Sequence, residues 1–143
     1  MTDSESRIRV RMSGTEMERR WSLVRKAMKK AGLDFLVMQN FTQFLGGHMR
    51  WFTDMPDCQT LIFPLESDMI VIKHGPAMVI DLGIKGIKKQ INVPWMPSLD
   101  FIRYTFAEAA VGELKKHKGC RIGLYGLGYM TAAFYNYLTM HLD

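Results

Sequence analysis

A chain of 143 residues is the size of one ordinary domain, and a composition 48% apolar and 23% charged excludes wholesale disorder. The longest apolar runs, Phe35 to Met38 and Leu61 to Pro64, fall far short of the ~18 to 20 residues that span a bilayer, so no membrane partner is expected. A net charge of +5 raises the question of an anionic partner, but the densest basic group, Arg19, Arg20, Arg25, Lys26, Lys29 and Lys30, reads as the wet face of one amphipathic helix. No nucleic acid is expected.

Residues 1–14 read as a flexible leader, polar and without sustained period, and 15–143 as the folded domain. The leader has no apolar core followed by a small-residue cleavage site, which points to a cytoplasmic location. Ser13 with Glu16, and Thr15 with Glu18, are overlapping capping-box patterns. Met17, Trp21, Val24, Met28 and Ala31 then recur at steps of three and four, so a helix is predicted over 15–31 with Trp21 buried and Gly32 as its stop. Leu33 to Met38 follows as a buried strand.

Asn40 caps a short predicted helix, with Phe41, Phe44 and Leu45 on one face and Gly46-Gly47 ending it. Residues 48–58, HMRWFTDMPDC, read as a long loop. Gln59–Pro64 and Asp68–Lys73 form a predicted antiparallel hairpin turning at Leu65, Glu66 and Ser67. Met78 to Leu82 suggests a further short strand, and GIKGIKKQ with INVPWMPSLD (83–100) an irregular connection.

The spacing of Phe106, Ala110, Val111 and Leu114 predicts a helix over 104–117, closed by Gly119. A strand over 121–125 and a helix over 131–142, with Phe134, Tyr137, Leu138 and His141 in phase, complete the chain. The order is that of an α/β domain with a mixed sheet flanked by helices.

Chemistry-bearing residues are sparse. Cys58 and Cys120 lie far apart and outside any C-x-x-C pair, so both are expected to be reduced and buried. His48, His74, His117 and His141 form no zinc-type spacing, so no metal ligand and no catalytic residue is assigned. His74 reads as a solvent-facing or turn histidine. GLYGLG at Gly123–Gly128 has its glycines in the order G-x-x-G-x-G, which suits a tight turn and not a dinucleotide loop. Among the 12 methionines, Met49 and Met55 are the candidates for an interface and the rest for core filling. The loop after Gly47 offers His48, Arg50 for a carboxylate, Trp51 for an apolar wall and Asp54 for an amine, the residue types that would bind remote parts of a substrate.

Four stretches in this order, ERRWSLVRKAMKKAGLDFLVM, NFTQFLGG, TLIFPLESDMIVI and CRIGLYGLGYMTAAFYNYL, resemble the creatinase-type N-terminal domain. That module precedes the pita-bread catalytic domain in creatinase, prolidase and Xaa-Pro aminopeptidase. The resemblance implies a ribonuclease H-like arrangement and a non-catalytic accessory domain that assists dimerisation and restricts the substrate. It also implies a C-terminal catalytic domain as partner, whose two aspartates, histidine and two glutamates hold a pair of divalent metals. Residues 1–143 contain none of that domain, so no cofactor is expected in this segment. In creatinase-like dimers the loop after the Asn-x-x-Tyr-Leu-x-Gly pattern approaches the neighbouring active site, which implies that His48, Arg50, Trp51 and Asp54 face the substrate. Phe44 departs from the family's Tyr, and 48–57 is longer than in many relatives. The alternative reading is a stand-alone ligand- or protein-binding module of the same fold.

Overall fold

The computed structural model describes residues 12–40, 47–55, 58–74, 86–93 and 99–142. Helix α1 spans Gly14–Ala31. Of the two capping patterns the first is used: the Ser13 hydroxyl accepts the Glu16 amide at 3.2 Å. The Glu16 carboxylate turns instead to Arg19 and Arg20, at 2.7 and 2.8 Å, and hydrogen bonds from Arg19, then Arg20, hold its pKa down at about 2. Gly32, in the left-handed region at φ 66, closes the helix as its amide and that of Leu33 fold back onto the Lys29 and Met28 carbonyls, the pairing that satisfies orphan carbonyls at a helix end.

Met17, Trp21 and Met28 are buried along this helix and Val24 half-buried, whereas Ala31 is exposed. The basic face is only partly wet. Arg20 donates to the Trp51 carbonyl at 3.2 Å and lies over its ring; Arg25 donates to the Ser67 carbonyl at 2.8 Å and lies over Phe63. Their stems and planar heads clamp α1 to its neighbours, leaving Arg19, Lys26, Lys29 and Lys30 exposed.

The sheet has five strands: β1 (Phe35–Gln39), β2 (Thr60–Pro64), β3 (Met69–His74), β4 (Ile87–Val93) and β5 (Ile122–Tyr125), in the order β4-β3-β2-β1-β5. β2 is antiparallel to both β1 and β3, while β5 runs parallel to β1 and β4 parallel to β3. Four strands therefore point one way and β2 alone opposes them. The expected hairpin is present. β5 is pinned to β1 through Asp34, whose carboxylate accepts the Arg121 amide at 2.7 Å while its own amide donates to the Arg121 carbonyl at 2.8 Å.

Alternation along the strands splits the core in two. Met38, Leu61, Phe63, Met69 and Val71 meet Met17, Trp21 and Met28 of α1 and Met49 and Phe52 of α2 (Gly47–Thr53). Val37, Ile62, Ile70 and Ile72 meet Phe106, Ala110 and Leu114 of α3 (Leu99–Leu114) and Phe134 and Leu138 of α4 (Ala132–His141). Phe134 follows the N-cap Thr131, whose hydroxyl accepts its amide.

Three expectations need correction. Ile87–Val93 is a regular edge strand and not irregular connection, in register with β3 as Ile72↔Ile91. Its pattern is hidden because a register shift falls at Met69/Ile70 and because edge lysines, which guard against further pairing, break the apolar alternation. Lys89 pairs with Glu113 at 2.6 Å, tying the edge to α3. Helix α3 starts at Leu99 and stops at Leu114; Lys115 to Lys118 form a turn, with the His117 amide on the Leu114 carbonyl. Cys58 is buried but Cys120 only half-buried, and both are free thiols. The strand expected over 78–82 and residues 41–46 of the helix expected after Asn40 lie outside the described residues. Among the described residues no helix is long and apolar enough to cross a membrane.

His74 also differs from its reading as a turn residue. It ends β3 half-buried, edge-on to Phe106 at 4.5 Å, and burial lowers its pKa from the ordinary 6.5. A folded-state pKa below the unfolded one means that the unfolded chain takes up the proton first. This contribution to stability is thus complete above pH 6.5 and is lost as pH falls through that value toward the folded pKa. Melting temperatures at pH 7.5 and 5.5 should show a drop that is smaller in His74→Phe; an equal drop in both proteins would remove His74 as its source.

Trp21 gives a second test. Its indole donates to the buried Phe52 carbonyl at 2.8 Å, and a Cβ on Gly86 would stand 2.3 Å from the far edge of its ring, at a backbone φ of +88. Trp21→Ala should cost ~3 to 5 kcal/mol, and Gly86→Ala about 1 to 3 kcal/mol for the backbone conformation alone plus the collision. The double variant should be more stable than the sum of the two predicts, because removing the ring removes the collision. Strict additivity in urea melts would mean that ring and glycine do not meet.

Candidate functional site

Because β1, β3, β4 and β5 share one direction, their carboxyl ends form a single rim, the place where open α/β sheets gather ligands. The start of β2 lies on the same rim, since Gln39 pairs with Thr60. Gln39, Asn40, Thr60 and Lys73 are all buried here, a concentration of polar side chains that the rest of the core lacks. Among the described residues the buried side-chain atoms without a hydrogen-bond partner are Asn40 Oδ1, Thr60 Oγ1, His74 Nδ1 and Gln90 Oε1. The first three sit on the rim. Gln90 lies in the middle of β4, away from the rim, and donates to Asn92 at 2.5 Å. An unpaired buried polar atom costs about 1 to 3 kcal/mol, so three such side-chain atoms at the ends of neighbouring strands set this rim apart from the rest of the described core.

The chain after Gly47 is helical where a loop is expected. Met49 and Phe52 are buried one turn apart and hold α2 against the sheet. Gly47 opens this helix and Asp54, at φ 55, ends it with its amide on the Arg50 carbonyl; aspartate is among the few residues that tolerate this conformation. The double glycine reads as a stop, and that signal obscured a helix of only seven residues.

The four candidate residues point to different neighbours. His48 stacks on Tyr129 at 4.8 Å, with Nε2 3.3 Å from the Gln39 carbonyl, and so belongs to the rim. Arg50 is exposed on α2. Trp51 is half-buried beneath Arg20 and edge-on to Phe52. Asp54 accepts the Met12 amide at 2.9 Å, fastening the residues just before α1. Met49 and Met55 are 1% and 6% exposed, which makes them core residues and corrects the expectation of an interface.

Sequence reasoning missed Tyr125 and Tyr129, half-exposed rings that flank His48. Their signal is the Y-x-x-x-Y spacing across the glycine turn, where Gly126 adopts φ 71 and the Tyr129 amide returns to its carbonyl. It also missed Gln39, whose side-chain oxygen accepts the Thr131 amide at 2.9 Å and joins β1 to α4; nothing local announces a contact across that separation. Among the described residues no group of three or more His, Cys, Asp or Glu side chains is placed to hold a metal ion. The described side chains therefore do not fit a two-metal centre.

No protein-family model matches the sequence, and no curated protein matches it. Solved structures do. The Xaa-Pro dipeptidase from Bacillus anthracis superimposes with a TM-score of 0.58 at 12% identity, over 89% of this chain but 32% of that one. The creatinase/prolidase-like N-terminal domain of a protein from Corynebacterium diphtheriae, described as a metallopeptidase, superimposes with a TM-score of 0.55 at 12% identity, over 90% of each chain. This chain thus spans about a third of the dipeptidase's length and nearly all of an isolated N-terminal domain, and its fold is that of the creatinase/prolidase N-terminal domain.

Proposed function

We propose that the chain is a non-catalytic accessory domain of a creatinase/prolidase-type, metal-dependent peptidase. In this reading it works beside a catalytic domain that carries a divalent metal pair, pairs with a second copy of itself, and uses the carboxyl rim and α2 to restrict the substrate. The observation that carries the reading is the pair of coverages: 90% of an isolated creatinase/prolidase-like N-terminal domain, against 32% of a whole Xaa-Pro dipeptidase. The absence of a metal-holding group among the described residues is consistent with chemistry performed elsewhere. The buried polar rim supports a surface that completes another domain's site, because unpaired polar atoms are relieved when a polar partner arrives. A reducing, cytoplasmic setting suits the two free thiols.

On α2, Arg50 is the residue best suited to recognise an anionic substrate, being exposed in the helix's last turn and carrying five donors. His48, Trp51 and Asp54 support that helix through the contacts described above.

Two measurements test the proposal. The 143-residue chain by itself should neither retain a stoichiometric divalent metal on dialysis nor hydrolyse Xaa-Pro dipeptides above a buffer blank; a bound metal with turnover would overturn the accessory role. In a chain that carries the catalytic domain, Arg50→Ala should raise KM for anionic substrates severalfold while kcat stays near wild type, the pattern of an interaction present equally in ground and transition states. Kinetic constants equal to wild type across charged and neutral substrates would remove Arg50 from the site.

A further inference from the structure

A cleft of about 220 Å³ lies at the opposite rim, between the last turns of α3 and α4 and the start of β5. Lys115, His117, Lys118 and His141 line it, and no described acidic side chain does. Leu114, Ile122 and Leu142 form an apolar floor. The two imidazoles are held in place by aromatic neighbours, His117 against Phe35 at 4.9 Å and His141 against Tyr137 at 4.2 Å. Of the nearby described carboxylates, Glu113 is engaged by Lys89 and Lys116 and Asp34 by the Arg121 amide.

From this arrangement we propose a binding site for a phosphate group, either free phosphate or that of a small phosphate ester, on the face remote from the carboxyl rim. Two ammonium groups and two ring N–H donors around one cleft match a tetrahedral dianion with several acceptor oxygens. Two helix ends point here, and each carries about half an elementary negative charge. Part of that charge is offset internally: the Val111, Glu113 and Leu114 carbonyls accept the amides of Lys115, Lys116 and His117, and the Leu138 carbonyl accepts that of Leu142. The full charges of Lys115 and Lys118 therefore set the sign of the cleft. Its volume is below the ~300 Å³ of ordinary ligand pockets, which limits the ligand to a phosphate with a short carbon stem on the apolar floor. Gly119, at φ +69 with open space where a Cβ would stand, carries the backbone around the cleft's edge.

The test is a titration of the 143-residue chain with inorganic phosphate, and separately with glycerol 3-phosphate, at constant ionic strength, read by amide chemical shifts. Saturable shifts confined to 114–122 and 138–142 are expected. Lys115→Gln with Lys118→Gln should raise the midpoint at least tenfold, whereas Lys29→Gln with Lys30→Gln, which removes the same charge from α1, should leave it within twofold. Unchanged melting temperatures would show that both variants fold. A lower midpoint for the ester than for phosphate assigns the site to esters, and equal midpoints assign it to the free anion. Non-saturating shifts, or equal weakening by both lysine pairs, would reduce the effect to general charge attraction and overturn the proposal.

Discussion

The indole of Trp21 is the contact on which one half of the core is built. It is 5% exposed, and burying a ring of that size contributes on the order of 4 to 6 kcal/mol. A buried indole N–H without a partner would remove about 1 to 3 kcal/mol of that gain. The bond to the Phe52 carbonyl prevents the loss and in doing so fixes where α2 lies. On its far side the ring occupies the space a side chain at Gly86 would need, so the start of β4 must approach with bare backbone. One side chain thereby sets the spacing of α1, α2 and the edge of the sheet.

The other half depends on β1 being shared by two kinds of neighbour. Its antiparallel partner β2 arrives through the chain that follows, whereas its parallel partner β5 comes from far along the sequence. Parallel pairing at that separation carries a large loop-closure cost, and Asp34 helps offset it by binding both the amide and the carbonyl of Arg121. At the opposite end Gln39 takes the Thr131 amide. β5 and α4 are thus tied to β1 at both ends, which places Tyr125 and Tyr129 beside His48 and makes a common rim out of residues from distant parts of the chain.

Helix α1, the β2–β3 hairpin, β5 and α4 were legible in the sequence because each carries its own periodicity and its own stop signal. Met17, Trp21 and Met28 mark a face, Gly32 marks an end, and both are local. Where the reading failed, the deciding interaction was not local. β4 is a strand because β3 offers it an edge, and Lys88 and Lys89 hide that pairing from any alternation count. α2 is a helix because Met49 and Phe52 find the sheet face, although the glycines before it signal a stop. The chemical types in that stretch were visible, but their directions were not. Asp54 and Trp51 are turned toward the segment just before α1 and toward α1 itself by Met12 and Arg20, contacts that no spacing within 48–57 encodes.

The reversal of β2 has a functional consequence. In a sheet of alternating strands, carboxyl ends and their connecting loops divide between two rims; here one reversed strand among five leaves four carboxyl ends together. Backbone groups at strand ends have no further ladder partners and need hydrogen bonds from beyond the sheet. Asn40, Thr60 and His74 add side-chain atoms with the same unmet demand. At the amino rim Asp34 binds both backbone groups of Arg121 and the turn amides after α3 return to that helix's carbonyls, beside the cleft lined by Lys115, His117, Lys118 and His141. The two rims therefore differ in composition: amide and hydroxyl groups are enclosed at the carboxyl ends of the strands, and exposed basic side chains surround the cleft at the opposite one.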